Sequence, residues 1–196
     1  GSGPFPTELD GEAADALREA GQEYGSVTGR PRRVGWLDLP LLRYARDINN
    51  IHSLVVTKLD VLSGLDEIKV CTFYGNQKRN EYPINVIDDA GPKYVTLPGW
   101  NDDISNVKSL EELPVNARNY IEFIEENLDI PISLISVGAD RNCIIDRRDY
   151  VSDFYSKKVM ENIKPAVNEQ LTDLYTILNR AASKLDELEQ TKAEEN

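Results

Sequence analysis

The sequence is poor in the residues from which metal and redox sites are built. It contains one His, His52, and two Cys, Cys71 and Cys143. One imidazole excludes any site that needs two. Two Cys cannot form a disulfide framework or a four-Cys metal site, so a reducing compartment is expected. Positive charge is also short: 22 Lys and Arg against 34 Asp and Glu leave a net charge of -12. A field of that sign repels polyanions and argues against nucleic acid or an anionic membrane as partner. No stretch approaches the ~18 consecutive apolar residues of a membrane span, and nothing at the start resembles a signal peptide. The expected location is the cytoplasm. The first residue is Gly1 rather than Met, so the chain is expected to begin inside a longer gene product or to have been processed.

What is present suffices for a packed core. An apolar share of 40%, with 9 Tyr, 4 Phe and 2 Trp, is too rich for a disordered chain. Pro4 and Pro6 stiffen the opening loop, and Asp10 precedes a short helical pattern of Ala13, Ala14, Leu17 and Ala20 that closes near Gly21 or Gly25. Residues 39–49 read as a helix with Leu42, Ala45 and Ile48 inward. The apolar run Ser53–Thr57 suits a buried strand, and residues 67–74 alternate like a second one. Residues 75–108 hold many Gly and Pro and predict loop with short strands. Pro114 opens a helix with Ala117, Ile121, Ile124 and Leu128 on one stripe. Pro131 stops it, and residues 132–137 form a third buried strand. Strands alternating with helices predict an α/β sheet.

Gly is absent after Gly138, and residues 150–190 are almost wholly helix-forming. Leu171, Leu174, Leu178, Ala181, Leu185 and Leu188 repeat at 3 and 4, a coiled-coil seam. Pro165 is expected to divide this helix into a piece near 150–163 and a longer one near 166–190. The domain organisation expected is 1–146 and a helical extension, 147–196.

Three segments carry chemistry. Thr28-Gly29-Arg30-Pro31-Arg32-Arg33 places three guanidiniums within four residues of an acidic chain. Their planar forks match carboxylate or phosphate oxygens, so the loop reads as an anion site. A solvated basic loop is the alternative, and a minor-groove arm a more distant one. Thr57-Lys58-Leu59-Asp60 follows directly on a strand, where open α/β sheets bind ligands. Asp60 there can accept from a guanine ring, or it can simply cap the turn. Ser136-Val137-Gly138 ends another strand, and two strand ends of one sheet could hold opposite edges of one base. His52 reads as a packed or hydrogen-bonded side chain, Cys71 as core, and Cys143 shows no sign of reactivity.

These blocks resemble adenylosuccinate synthetase. The resemblance runs through Gly3-Pro4-Phe5-Pro6-Thr7-Glu8, Glu23-Tyr24-Gly25, Thr28 to Trp36, Thr57 to Leu62, Leu97-Pro98-Gly99-Trp100, Ala117 to Ile121, and Ile135 to Arg141. It covers residues 1 to about 145, in order, and corresponds to the C-terminal part of that family; Gly1-Ser2 fit it as native residues. The fold implied is the C-terminal portion of a P-loop-type mixed sheet with flanking helices, here followed by a helical, coiled-coil-like extension. The activity implied is GTP-dependent joining of IMP and L-aspartate with Mg²⁺, in a family that forms homodimers. By the same resemblance, Ser26, Val27, Thr28, Gly29, Arg30, Pro31 and Arg32 would contact aspartate or IMP. Arg32, Lys58, Leu59, Asp60, Ser136, Val137 and Gly138 would contact GTP.

The departures are specific. Val27 stands where the family has Thr, and Val137 and Ala139 stand where Thr and Pro are common. The family's glycine-rich phosphate loop, catalytic Asp, Lys and His have no counterpart here, so catalytic residues and metal ligands are expected to lie outside this chain, which alone should be inactive. Two alternatives remain: a non-catalytic assembly protein using the helical tail, and a split enzyme whose other half is encoded separately.

Overall fold

The computed structural model describes residues 3–75 and 91–194, and no side chains at 181–183 and 185–194. The chain divides into two compact units, Gly1–Val151 and Ser152–Asn196. The first is an α/β unit with two mixed three-stranded sheets. One sheet has the order β1 (Leu37–Asp38), β3 (Leu65–Tyr74), β4 (Pro92–Trp100); the other β2 (Leu54–Val56), β5 (Ile132–Ser136), β6 (Ile144–Asp146). In each, the first pair is parallel and the second antiparallel.

Helix α3 (Val115–Leu128) follows the sequence stripe closely. Ala117, Ile121, Ile124 and Leu128 are all buried and join Ile132, Ile135 and Val137 of the β5 segment in one core. Each such aliphatic side chain contributes roughly 1.5–3 kcal/mol by leaving water. The helix ends at Asp129, whose left-handed backbone turns its N–H onto the Glu125 carbonyl. Helix α1 (Gly11–Gly21) ends in the same way at Gln22.

Helix α2 (Leu39–Asn49) lies where expected but is rolled. Its buried positions are Leu39, Pro40 and Arg43, while Ile48 is largely exposed. The apolar spacing missed that the inward face carries a guanidinium. Arg43 donates to the carbonyls of Asn127 (3.0 Å) and Thr72 (3.4 Å), and Arg46 donates to the Leu128 carbonyl. Two α2 arginines thus satisfy the open carbonyls at the C-terminus of α3, where positive charge is favoured by the helix dipole.

The turn-rich region proves more ordered than its composition implies. Residues 76–90 lie outside the described residues, but residues 92–100 form a nine-residue strand paired along β3. Pro98 and Gly99 hide it from propensity. Gly99 is there because β3 comes too close for a side chain: a Cβ would lie 1.7 Å from the Leu65 carbonyl oxygen. Strands β1 and β6, two and three residues long, are too short to show a period.

The run at 53–57 forms β2, but not as the buried strand expected. Val55 is 56% exposed, and among the described residues β5 is its one strand neighbour. At the other end of β5, Glu125 of α3 accepts from the Ile132 N–H (2.7 Å) and from Arg147 (2.8 Å). That buried ion pair ties helix to sheet.

Helix α4 (Arg148–Glu194) is continuous, with Pro165 inside it, correcting the division expected there. Proline removes one N–H, the donor to residue 161. Glu161 is exposed, so water can take its carbonyl while the ladder continues on either side. Leu171, Leu174 and Leu178 of the seam are each more than half exposed.

Candidate functional site

The arginine segment is the far strand of a small hairpin. Tyr24 and Pro31 form an antiparallel bridge, and the Arg32 N–H donates to the Glu23 carbonyl (2.9 Å). Within the tip, Gly25 donates to the Arg30 carbonyl and Gly29 to the Gly25 carbonyl, both at 2.8 Å. Gly29 holds φ +63°, a conformation that L side chains rarely adopt. Ser26, Val27, Thr28, Gly29, Arg30 and Pro31 are all exposed, Val27 by 94%.

The three guanidiniums have different fates. Arg33 is committed to structure: it donates to both carboxylate oxygens of Glu8 and to the Gly3 carbonyl, and lies over the Phe5 ring. Its hydrogen bonds first, and then its charge, hold the Glu8 carboxyl below the usual range, against the opposing effect of burial. Arg32 pairs with Glu23 at 2.9 Å, and its carbonyl accepts from Arg18 Nε. Among the described residues, Arg30 has no side-chain partner. The structure therefore leaves Arg30 available to an anion.

Glu23 reaches a second cation. Lys58, just past β2, donates its ammonium to the Glu23 carboxylate and to the Gly21 carbonyl (2.7 Å). Lys58 first, then Arg32, draw the Glu23 carboxyl below its ordinary value, against the opposing effect of burial. The hairpin and the β2 exit are thus joined through one carboxylate.

Lys58 has a left-handed backbone (φ 59°) and opens a short 3-10 turn, Leu59–Leu62. Leu59 is fully buried, so its side chain anchors this turn in the core. Asp60 Oδ1 is shut off from solvent with no hydrogen-bond partner among the described residues. A turn-capping carboxylate would have spent that oxygen on a backbone N–H; this one has not.

Because β2 and β5 run parallel as neighbours, Lys58–Asp60 and Ser136–Gly138 leave the sheet at the same end. Ser136 Oγ donates to the Gly138 carbonyl (3.1 Å), and the Val137 N–H donates to the Cys143 carbonyl (2.9 Å). Val137 is fully buried, so its side chain packs in the core and only its backbone lies in the turn.

A cleft of about 580 Å³ runs beside β2. It is lined by Lys58, Leu59, Glu23 and Arg33 together with apolar side chains, while Arg30, Arg32, Asp60 and the 136–138 turn lie outside its lining. The cleft therefore reaches the β2 exit at Lys58 and Leu59 but not the Ser136–Gly138 turn. His52 is exposed before β2, and Cys71 is buried, its thiol pushed up to about 11 by burial and the Asp38 charge. Among the described residues no three His, Cys, Asp or Glu side chains gather as a cation site, and no helix is long and apolar enough to cross a membrane.

The fold is a mixed α/β unit that presents two parallel strand ends beside a cationic hairpin. The family model described as adenylosuccinate synthetase matches residues 1–145. Among curated proteins named adenylosuccinate synthetase, that of Sorangium cellulosum is 50% identical over 151 residues, 76% of this chain and 35% of its own length. That of Salinibacter ruber is 53% identical over 150 residues, 74% of this chain and 34% of its own. The solved structure of fully ligated adenylosuccinate synthetase from Plasmodium falciparum superposes with a TM-score of 0.71 at 44% identity, over 74% of this chain and 36% of that one. The chain belongs to the adenylosuccinate synthetase family, and spans about a third of the length of the curated relatives it matches.

Proposed function

We propose that this chain carries the aspartate-binding hairpin and the guanine-binding strand ends of an adenylosuccinate synthetase, the ligase of purine biosynthesis that joins IMP to L-aspartate using GTP. The observation that supports this most is the adjacency of β2 and β5. It places Asp60, with its unspent oxygen, and the Ser136–Gly138 turn at one end of one sheet.

In this reading Asp60 accepts from the ring N–H and exocyclic amine of guanine, since a carboxylate offers acceptors only. The stem of Lys58 covers the base, and the backbone of Ser136–Gly138 borders its other edge. Arg30 holds a carboxylate or phosphate through its planar fork, and Ser26, Val27, Thr28, Gly29 and Pro31 shape the loop around it. Arg32 stands between the two ligands, paired with Glu23 until an anion competes. Val27 offers no hydroxyl, so aspartate loses one donor there.

Phosphoryl transfer also needs phosphate-cradling amides, a base and Mg²⁺. The described residues do not gather a Mg²⁺ seat. The chain alone should bind guanine nucleotide weakly and form no adenylosuccinate. Calorimetric titration with GDP tests the binding reading. Wild type should release or absorb heat with saturation, and Asp60→Ala should lose it; equal binding by the variant would refute the assignment.

A second reading rests on the tail. Leu171, Leu174 and Leu178 fall on one heptad seam and are exposed, a surface suited to self-assembly or to a partner helix.

A further inference from the structure

Helix α4 carries a single apolar side. Residues 159–180 are all exposed. Among them Met160, Ile163, Val167, Leu171, Leu174 and Leu178 follow one another at steps of 3, 4, 4, 3 and 4. Met160 and Leu178 are thus five helical turns apart, so the stripe runs straight along the helix for roughly 27 Å. Tyr175 and Ile177 widen it and are 69% and 64% exposed. By the same geometry Pro165 falls on the opposite side, where its ring does not obstruct a helix laid along the stripe. A helix of this kind is stabilised by what covers its apolar side more than by propensity.

Two observations indicate the occupant. The family model ends at residue 145, before α4 begins at Arg148. The helix therefore lies outside what this chain shares with the family, and no segment common to the synthetases is implied as its cover. The charges along the helix are also unequal. Residues 153–164 hold three Lys and two acids, whereas residues 186–195 hold five acids and one Lys. In the sequence the apolar spacing continues through Ala181 and Leu185 to Leu188, so stripe and charge pattern share a centre near Leu174. Two parallel copies would set five acids against five. Two antiparallel copies centred on Leu174 keep stripe on stripe and bring the acidic end of each to the lysines of the other. We infer that the apolar stripe of α4 is covered by the same stripe of a second copy of this chain, the two helices running antiparallel. The inference deepens the reading of the tail as an assembly surface and owes nothing to the nucleotide site.

Carbodiimide cross-linking of mixed unlabelled and ¹⁵N-labelled full chain tests it, since a link between copies then carries both isotopes. The reagent joins only an ammonium and a carboxylate in contact, and Lys164 and Asp186 of one helix stand roughly 33 Å apart. Links from Lys157, Lys158 or Lys164 of one copy to the acids at 186–195 of the other are expected, with an even number of chains per particle by light scattering. Leu174→Asp should weaken association by about tenfold or more, because it places a charge in an apolar contact. Thr176→Asp should not, because Thr176 is exposed on the other side of the helix. The links in the unsubstituted chain decide the matter even if the Leu174 variant fails to fold. Links between copies that join Lys184 to those acids, without the lysines at 157–164, would overturn the antiparallel pairing while keeping the tail as assembler, as would three chains per particle. A single chain per particle at high micromolar concentration would overturn both the pairing and the reading of the tail on which it rests. An assembly untouched by Leu174→Asp would do the same, placing the contact elsewhere.

Discussion

At the scale of single residues, Glu23 does the connecting. It carries charge on two fronts, Arg32 on its own hairpin and Lys58 across at the sheet. Both cations are about half exposed, so water screens much of the attraction, and the carboxylate is expected to contribute only ~0.2–1 kcal/mol. Its depressed pKa fixes the pH dependence. A carboxylate held more acidic in the folded state stabilises above its unfolded value, near 4.5, and loses that contribution as pH falls through the lower folded value. Urea denaturation of Glu23→Gln should therefore show a deficit of that size at pH 7 and a vanishing one in acid. A deficit that persists unchanged in acid would mean that the side chain acts by packing rather than by charge.

At the scale of elements, the strand ends depend on how β5 is tied down. Glu125 and Arg147 are 5% and 9% exposed, and Glu125 also accepts from the Ile132 N–H at the start of β5. Removing one member of a buried pair leaves the other charge without compensation, which typically costs ~3–5 kcal/mol. Arg147→Ala should lower the unfolding free energy measured in urea by an amount in that range; a change within ~0.5 kcal/mol, the usual surface value, would show the pair to be dispensable. The extension offers a separate prediction. If the leucine seam assembles the chain, truncation after Arg148 should reduce the number of chains per particle measured by light scattering. An unchanged number of chains would remove the tail from any role in assembly.

At the scale of the molecule, the legible and illegible parts of the sequence divide by range. The α3 stripe was readable because helix period and burial coincide over fourteen residues. The exits of β2 and β5 were readable because one apolar run stops at Thr57 and the other, 132–137, stops before Gly138. Long-range partners were not. Arg43 looks like a surface residue until α3 supplies the carbonyls it serves, and β4 looks like loop because Pro98 and Gly99 answer to β3 rather than to local propensity. Glu23 gave no signal because its two cations come from different segments. The exposure of Val55 was hidden for a related reason: its apolar run describes a strand with neighbours on both sides, and only one is found among the described residues. Pro165 misled in the opposite direction, since a solvated helix can lose one hydrogen bond and continue.

In the proposed function, two chain segments 75 or so residues apart form opposite borders of one guanine site. Titrating ¹⁵N-labelled chain with GDP and following backbone amide shifts tests it most directly. Residues 58–62 and 136–143 should move together, along one binding curve, while amides in α4 stay still. Shifts confined to only one of those two segments, or none at saturating nucleotide, would contradict the account.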